Sequence, residues 1–213
     1  MGVKEAYDRW ARLYDDNDNR TRDLNRQCLR QAGLPLTGGR VFEAGCGTGL
    51  NTEYLAGHAD HVVAMDFSEG MLERARRRVE SSSVRFESGD ITQAWPVEDA
   101  SCDLVVITLV LEHIDNLGRV LAQARRVLNG NGLLYVAELH PYRQLIGKQA
   151  RFTPEGSERE ELVPTWRHSI SEYVSSAMGV GLVLRGMAEP RAEGDEVPRL
   201  LQLWMSPSFK PDA

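Results

Sequence analysis

Short apolar runs alternate with amphipathic stretches through the middle of the chain. Arg40–Ala44 is apolar and ends in a glycine-rich turn, after which Leu50–Gly57 has the pattern of a helix. His61–Asp66 (HVVAMD) is apolar again and precedes Ser68–Val79, which begins with a serine suited to cap a helix. The alternation predicts strands and helices in turn. Strands connected through helices favour a parallel sheet.

The same pattern continues toward residue 139. Val84–Glu87 predicts a third strand, and Asp103–Thr108 predicts a fourth that is buried on both faces, since its interior is entirely apolar. Leu117–Leu128 predicts a helix ended by an Asn-Gly pair, and Gly132–Leu139 predicts a fifth strand.

The flanking segments have different patterns. Residues 4–33 predict helix with a polar interruption at Asp15–Asn19, and Leu34–Gly39 predicts a loop. Residues 169–181 predict a helix, and two closing strands are expected at 182–189 and 199–205.

His140–Pro164 is polar and irregular, which predicts little packing in the free protein. A loop of this length in a compact domain is often a lid or a binding loop. Its cations Arg143, Lys148 and Arg151 would suit an anion, although a solvated loop is an equal alternative.

Composition and charge exclude several classes of function. Hydrophobic residues make up 42% of the chain, which is usual for a globular domain, and the formal net charge is -6, which disfavours a nucleic-acid surface. Arg74, Arg76, Arg77 and Arg78 lie on a predicted helix between Glu73 and Glu80, which predicts a solvated helix face. Three scattered cysteines make neither a disulfide framework nor a zinc site. We expect a cytoplasmic protein without metal, nucleic-acid or membrane partners; its oligomeric state stays open.

The candidate chemistry centres on Val41–Gly49 (VFEAGCGTG), where a strand enters a glycine-rich turn. Glycines there allow a tight turn and close approach of the backbone to a ligand. Asp66 ends the next strand, where nucleotide-binding α/β folds place the acid that accepts both ribose hydroxyls.

Two cofactor classes use this arrangement. A dinucleotide site expects G-x-G-x-x-G, but Leu50 stands where the third glycine should be. Glu43, just before the turn, would repel a pyrophosphate and attract a sulfonium or ammonium group. The nucleoside cofactor that lacks phosphates and carries positive charge is S-adenosylmethionine (SAM).

These residues resemble the class I SAM-dependent methyltransferase family, in particular its small-molecule members. MDFSEGML, SGDI, DLVVITLVLEHI and LNGNGLLYVAEL resemble the family's later core segments, and YDRWARLYDD resembles its helical cap. The resemblance implies an α/β fold with a Rossmann-like, doubly wound, seven-stranded sheet. That sheet would be mostly parallel with an antiparallel last strand and helices on both faces.

The resemblance also implies a division of the chain. Residues 1–213 would form one methyltransferase domain. Its parts would be a helical cap (1–39), a cofactor-binding core (40–139), a lid (140–168), and a closing helix and strands (169–206).

Matched positions then imply roles toward the cofactor. Glu43, Gly45 and Gly47 would surround the methionine half of SAM. Asp66 would bind the ribose, and Leu109 would begin the segment that faces the sulfonium.

The adenine would lie between Phe67 and Met71, with Asp90 and Ile91 at its edge. From the cap, Tyr14 and Arg20 would close the site. Neighbouring positions complete the expected cofactor contacts, namely Ala44, Cys46, Asn51 and Gly89.

The expected reaction is an in-line methyl transfer, in which positioning supplies most of the catalysis. A base helps only where the acceptor loses a proton. His113, at the end of the fourth strand, is the first candidate, and His140, at the end of the fifth, is the second.

Absent motifs narrow the acceptor. TLVLEH stands where base- and amide-methylating members commonly carry [DN]-P-P-[YF]. A small molecule with a hydroxyl or carboxyl acceptor is therefore favoured, with a small amine as the alternative. A cofactor-binding module without catalysis and a nicotinamide-dependent oxidoreductase remain rival hypotheses.

Overall fold

The computed structural model describes residues 2–16, 18–154 and 156–208. The helices are α1 (Val3–Trp10), α2 (Arg20–Gln31), α3 (Leu50–Ala56), α4 (Glu69–Arg78), α5 (Leu117–Val127), α6 (Pro141–Leu145) and α7 (Ile170–Gly179), with a single 3-10 turn at Leu111–His113. The strands are β1 (Arg40–Ala44), β2 (His61–Asp66), β3 (Val84–Ser88), β4 (Cys102–Thr108), β5 (Leu128–Leu139), β6 (Arg151–Phe152), β7 (Glu161–Leu162), β8 (Leu182–Ala188) and β9 (Leu200–Pro207). Within the described ranges, no helix has the length and apolar character needed to cross a bilayer.

Seven strands form one sheet in the order β3-β2-β1-β4-β5-β9-β8. Strands β1 to β5 pair in parallel, whereas β9 is antiparallel to both of its neighbours. The predicted mostly parallel, seven-stranded sheet with an antiparallel last strand is therefore confirmed. The strand order reverses between β1 and β4, so the crevice at their carboxyl ends is where such a sheet binds ligands.

Side-chain alternation along the strands divides the core between the two faces of the sheet. Val105 packs on one face, with Leu121 of α5 and Tyr173 of α7. Leu104 packs on the other face, where Leu55 of α3 is also completely buried. Both faces are covered by helices, as the resemblance implies.

Two polar side chains set where the helices begin. Ser68 accepts a hydrogen bond from the Met71 amide at 3.2 Å and caps α4, as predicted. Asn19 accepts from the amides of Thr21 and Arg22 and caps α2, so the polar interruption near residues 15–19 separates two helices. These caps satisfy amide groups that lack partners within the helix.

The expectation of an irregular, weakly packed segment at 140–164 is wrong. The segment contains α6 and a short antiparallel pair, β6 and β7. Phe152 and Val163 are buried and pack with Trp10 of α1, while Arg9 donates two hydrogen bonds to the Glu161 carboxylate. Of the two short strands only β6 contributes a buried side chain, Phe152, and Val163 follows directly after β7, so the segment is too short to produce a detectable period.

Candidate active site

Two adjoining cavities open at the carboxyl ends of β1 and β4. The first cavity brings together most residues predicted for the cofactor and for catalysis: Tyr14, Gly45, Cys46, Gly47, Asn51, Asp66, Phe67, Met71, Gly89, Asp90, Ile91, Leu109 and His113. The second cavity lies between α1, α2, the segment after β5 and the loop before β9. Tyr7, Tyr14 and Leu109 line both cavities, so the two spaces meet at these side chains.

The glycine turn is held by backbone hydrogen bonds to β2. The amides of Gly45 and Cys46 both donate to the Met65 carbonyl oxygen, at 2.8 and 3.0 Å. Gly45 has a φ of +76°, and a Cβ there would lie 2.9 Å from Cγ2 of Val110. Only glycine fits this conformation and this close approach without strain.

The Asp66 carboxylate fixes the turn from beneath. Oδ2 accepts from the Gly47 amide and Oδ1 from the Ser68 amide, both at 2.9 Å. Burial raises the pKa of Asp66 to about 6, although the backbone hydrogen bonds oppose that shift. Each oxygen keeps a lone pair for a further donor, so the carboxylate can accept from two ligand hydroxyls while it holds the turn.

An apolar slot lies beside Asp66. Met71 and Ile91, which are both buried, line it together with Phe67. Asp90 lines the same cavity, and its Oδ1 accepts from both the amide and the hydroxyl of Thr92 at 2.8 Å. Asp90 therefore caps a turn and also faces the cavity.

Glu43 and Ala44 do not reach the wall of the first cavity. The Glu43 carboxyl is buried beneath the turn, where it accepts from the Thr52 hydroxyl at 2.6 Å. Ala44 packs on the opposite face of the sheet. Burial raises the pKa of Glu43 to about 8. Any effect of Glu43 on a cation in the cavity would therefore act through space and not by direct contact.

His140 and Arg20 also lie away from the first cavity. Nε2 of His140 is 2.8 Å from Oε1 of Glu189, and Nδ1 accepts from the Tyr142 amide. This imidazole caps α6 and does not line either cavity. Arg20 lies on the second cavity, where it bonds the Glu193 carbonyl oxygen and pairs with Asp195 at 3.5 Å. Arg20 is the first residue of α2, directly after the Asn19 cap, and this end of the helix borders the second cavity.

His113 has a defined protonation pattern. Nδ1 lies 2.8 Å from the Pro164 carbonyl oxygen, and Nε2 lies 2.8 Å from the Tyr7 hydroxyl. A carbonyl oxygen only accepts, so Nδ1 carries the proton, and Nε2 accepts from Tyr7. Burial lowers the pKa of His113, which keeps the imidazole neutral near pH 7. Tyr7, which lines both cavities, therefore connects Nε2 of His113 to the junction between them.

Charged contacts fasten the N-terminal cap over the first cavity. The Ser68 hydroxyl donates to Asp8 at 2.6 Å, and the Thr48 hydroxyl donates to Asp15 at 2.8 Å. Arg78 also binds Asp15 at 2.9 Å, as Arg74 does at 3.3 Å. The prediction of a fully solvated basic face on α4 is thus wrong for these two arginines, because the cap supplies their counterion.

Sequence reasoning missed several lining residues of the first cavity, which the cap and the strand ends contribute: Val3, Tyr7, Arg22, Asn25, Arg26, Thr48, Leu50, Thr108, Val110 and Ile114. One signal was present in α1 and the turn after it. Val3, Tyr7 and Tyr14 recur at spacings typical of one helix face. The arginines of α2 gave no such signal, since their spacing does not distinguish Arg20 from Arg22.

The second cavity is strongly charged. Its cationic side chains are Arg20, Arg143, Lys148, Arg151 and Arg199, and its carboxyl groups are Glu112 and Asp195. Among the residues that the structure describes, no group of three or more His, Cys, Asp or Glu side chains could hold a metal ion.

Sequence comparison identifies a domain within this architecture. Residues 42–136 match a family described as a methyltransferase domain. A demethylmenaquinone methyltransferase of Clavibacter sepedonicus is 36% identical over 137 residues, which are 64% of this chain and 54% of that protein. A malonyl-[acyl-carrier protein] O-methyltransferase of Serratia marcescens is 31% identical over 139 residues, 65% of this chain and 53% of that protein. This chain spans about half the length of these relatives.

Solved structures share the fold over nearly the whole chain. The CcbJ methyltransferase from Streptomyces caelestis superposes with a TM-score of 0.76 at 19% identity, covering 98% of this chain and all of that one. The DhpI–SAH complex gives a TM-score of 0.76 at 21% identity, covering 98% of this chain and 97% of that one. At such identities the likeness concerns the fold alone. Together with the domain match, it confirms the resemblance to SAM-dependent methyltransferases.

Proposed function

We propose that this chain, which carries a methyltransferase domain on the SAM-dependent methyltransferase fold, methylates an oxygen of a small molecule. SAM would occupy the first cavity and the acceptor the second. The observation that carries the proposal is the junction of the two cavities at Tyr7, Tyr14 and Leu109. A donor and an acceptor bound on either side would meet there without crossing solvent.

The first cavity fits SAM in four respects. The turn at Gly45 leaves no room for a side chain, so its backbone can lie against a ligand. Asp66 offers two charge-assisted acceptors for a pair of hydroxyls. Phe67 and Met71 provide apolar surface for a planar base. The aromatic side chains of Tyr7 and Tyr14 at the far end suit a sulfonium, which is a cation.

When bound, SAM supplies a methyl group whose bond to sulfur breaks, with its electron pair left on sulfur, as a bond to the acceptor oxygen forms. A hydroxyl acceptor must then lose its proton. The Tyr7 hydroxyl would take that proton while it passes its own to Nε2 of His113, from which solvent removes it later. His113 would thus act through Tyr7, as the base behind the group that touches the acceptor.

The surroundings of His113 support this proton route. Nδ1–H donates to the Pro164 carbonyl, which holds the ring in the accepting tautomer. Oε1 of Glu112 lies 4.0 Å from Nε2, close enough to stabilise the imidazolium that the transfer creates. Burial raises the pKa of Tyr7 well above its usual range, so the hydroxyl stays protonated until the proton can pass on.

An oxygen acceptor is favoured over an amine for two reasons. The Tyr7–His113 pair removes a proton during transfer, which a hydroxyl needs more than a neutral amine does. One relative is also named an O-methyltransferase.

Isothermal calorimetry and methyl-transfer assays test the proposal together. S-adenosylhomocysteine (SAH) should bind with saturation, whereas NADH should not. Protein incubated with SAM labelled on the methyl group should transfer label to members of a panel of small alcohols and hydroxy acids. Saturable binding of NADH without binding of SAH would overturn the proposal, as would label transfer to amines alone.

A further inference from the structure

The second cavity differs in charge from the chain that surrounds it. The chain has a formal net charge of -6, yet the cavity collects five lysine or arginine side chains against two carboxyl groups. The proposed methyl transfer needs no excess of positive charge in the second cavity, because the methyl donor is itself cationic and would occupy the adjoining first cavity. The positive side chains therefore call for a negatively charged occupant of the second cavity.

Most of the excess gathers around Asp195. This carboxylate, which is only 5% exposed, binds Arg199 through both oxygens at 2.6 Å, Arg143 at 2.9 Å and Arg20 at 3.5 Å. Hydrogen bonds from Arg199 hold the pKa of Asp195 well below its usual range, so it stays ionised. One carboxylate neutralises one guanidinium, and two positive charges remain uncompensated.

Two further cations stand at the mouth of the second cavity. The Lys148 side chain is exposed, and its ammonium group makes no hydrogen bond or ion pair with any residue that the structure describes. Among the residues that the structure describes, the Arg151 side chain has distant partners, Glu160 at 3.5 Å and the Gly147 carbonyl oxygen at 3.4 Å. These groups are free to turn toward a ligand, whereas the guanidinium groups at Asp195 are already in place.

The other carboxyl group of the cavity lies toward Tyr7. Glu112 is buried and accepts from the Gln144 amide at 3.2 Å. Burial raises the pKa of Glu112 to about 7, so it is partly neutral near pH 7. The cavity is therefore polarised, with its positive end at Asp195 and Lys148 and its less charged end at the junction with the first cavity.

We infer that the acceptor carries an oxyanion, a carboxylate or a phosphate-type group, which Arg143, Lys148 and Arg199 hold at the positive end of the second cavity. The reacting oxygen of the same molecule then lies at Tyr7. The inference rests on the proposed function where it identifies the bound molecule as the methyl acceptor, but the anion site itself does not depend on methyl transfer. Guanidinium groups suit such anions because each carries five N–H donors, and Asp195 takes up only some of those on Arg143 and Arg199.

Calorimetry with simple anions tests the site directly. Inorganic phosphate and acetate are titrated separately into protein saturated with SAH, which blocks the first cavity. At least one anion should bind, and Lys148→Met should weaken that binding roughly fivefold to tenfold, as expected for one charge-assisted contact. The anion that binds better identifies the acceptor class as phosphate-type or carboxylate.

Arg77→Met is the matched control, since it also removes one positive charge. Arg77 lies on α4 with 80% of its side chain exposed and pairs only with Glu73, at 3.7 Å. If neither anion binds, the site is wrong. If Lys148→Met and Arg77→Met weaken binding equally, binding reflects only the overall charge of the protein, and the site is again wrong.

A transfer assay separates this inference from the proposed function. Label transfer from SAM is compared between small hydroxy acids and their neutral amides. Faster transfer to the acids supports the inference, and equal transfer to the amides overturns it. Anion binding that depends on Lys148, without label transfer to any acceptor, would support the site and contradict the proposed methyl transfer.

Discussion

The two cavities of this molecule are built in different ways. The walls of the first come mainly from strand ends and from the backbone of one glycine turn, with Asp66 and apolar side chains beside it. The walls of the second are long charged side chains from the cap, from residues 139–151 and from the loop before β9. A cofactor common to a fold requires the first kind of site. A particular acceptor requires the second kind, which can change without disturbing the sheet.

Among these variants, Asp66→Ala should have the largest effect on ligand affinity, and only ligands of the first cavity should be affected. The substitution would remove the two charge-assisted hydrogen bonds that we propose between Asp66 and the ribose, each worth roughly 1.5–3 kcal/mol. SAH should then bind about 10²-fold more weakly or worse by calorimetry. Asp60→Ala, which removes an exposed carboxylate just before β2, serves as the control. Equal SAH affinity in Asp66→Ala and wild type would remove Asp66 from the cofactor site.

Tyr7→Phe should act at the junction and leave cofactor affinity intact. The variant keeps the ring but loses the hydroxyl that donates to Nε2 of His113 at 2.8 Å. Turnover should fall about 10²-fold, the usual contribution of a positioned acid–base group, while SAH affinity changes little. The dependence of turnover on pH should also flatten, since His113 can no longer act through Tyr7.

His58→Gln is a suitable histidine control for the companion variant His113→Gln, because His58 is exposed and bonds only the Tyr54 carbonyl oxygen. The proton route would be refuted if Tyr7→Phe or His113→Gln turned over as fast as His58→Gln.

Gly45→Ala should destabilise the first cavity through the backbone. A side chain at a φ of +76° costs roughly 1–2 kcal/mol, and its Cβ would press on Val110 at 2.9 Å. We expect the free energy of unfolding to fall by about 2 kcal/mol in urea titrations. Gly57→Ala is the matched control, because Gly57 has a φ of -74° and its nearest neighbouring atom would lie 3.6 Å away. Equal stability of the two variants would contradict the required backbone conformation.

Glu43→Gln should change the free energy of unfolding little near pH 5, and its effect should grow only as the pH rises. The pKa of Glu43 is raised from 4.5 to about 8 by burial, so the folded protein holds a proton that the unfolded chain releases. The stability that this group contributes is complete below pH 4.5 and is lost as the pH rises through about 8, by at most about 1.4 kcal/mol per pH unit.

Glutamine does not titrate, so Glu43→Gln should gain stability relative to the wild-type protein as the pH rises from 5 to 8. The difference between the two proteins cancels His113, whose lowered pKa acts in the opposite direction. A constant difference across this range would show that Glu43 is ionised in the folded state.

The sequence is informative about the first cavity because its chemistry depends on local spacing. A strand, the glycines at 45 and 47, and Asp66 at the end of the next strand determine their own relative positions once the sheet forms. The same reasoning places His113 at the edge of the sheet, but Tyr7 comes from a helix more than a hundred residues earlier. No local pattern encodes that hydrogen bond.

The second cavity could not be predicted for the same reason. Asp195 binds Arg199, four residues later in the chain, but it also binds Arg20 and Arg143 from two distant parts of the chain, which only the folded topology brings together. For His140 the position was predicted correctly and the orientation was not. The residue lies at the end of the expected strand, but its imidazole is directed toward Glu189 and away from the cavities. The position of a residue at the end of a strand predicts its neighbourhood, whereas its side-chain orientation depends on the hydrogen-bond partners that the fold supplies.

A crystal structure of the protein with SAH bound would show which cavity holds the cofactor. We expect adenosine in the first cavity, with the ribose hydroxyls on Asp66 and the base beside Phe67. The sulfur should face the junction formed by Tyr7, Tyr14 and Leu109, with the second cavity left open for an acceptor. Adenosine bound in the charged second cavity, or a sulfur atom directed away from Tyr7, would contradict this arrangement.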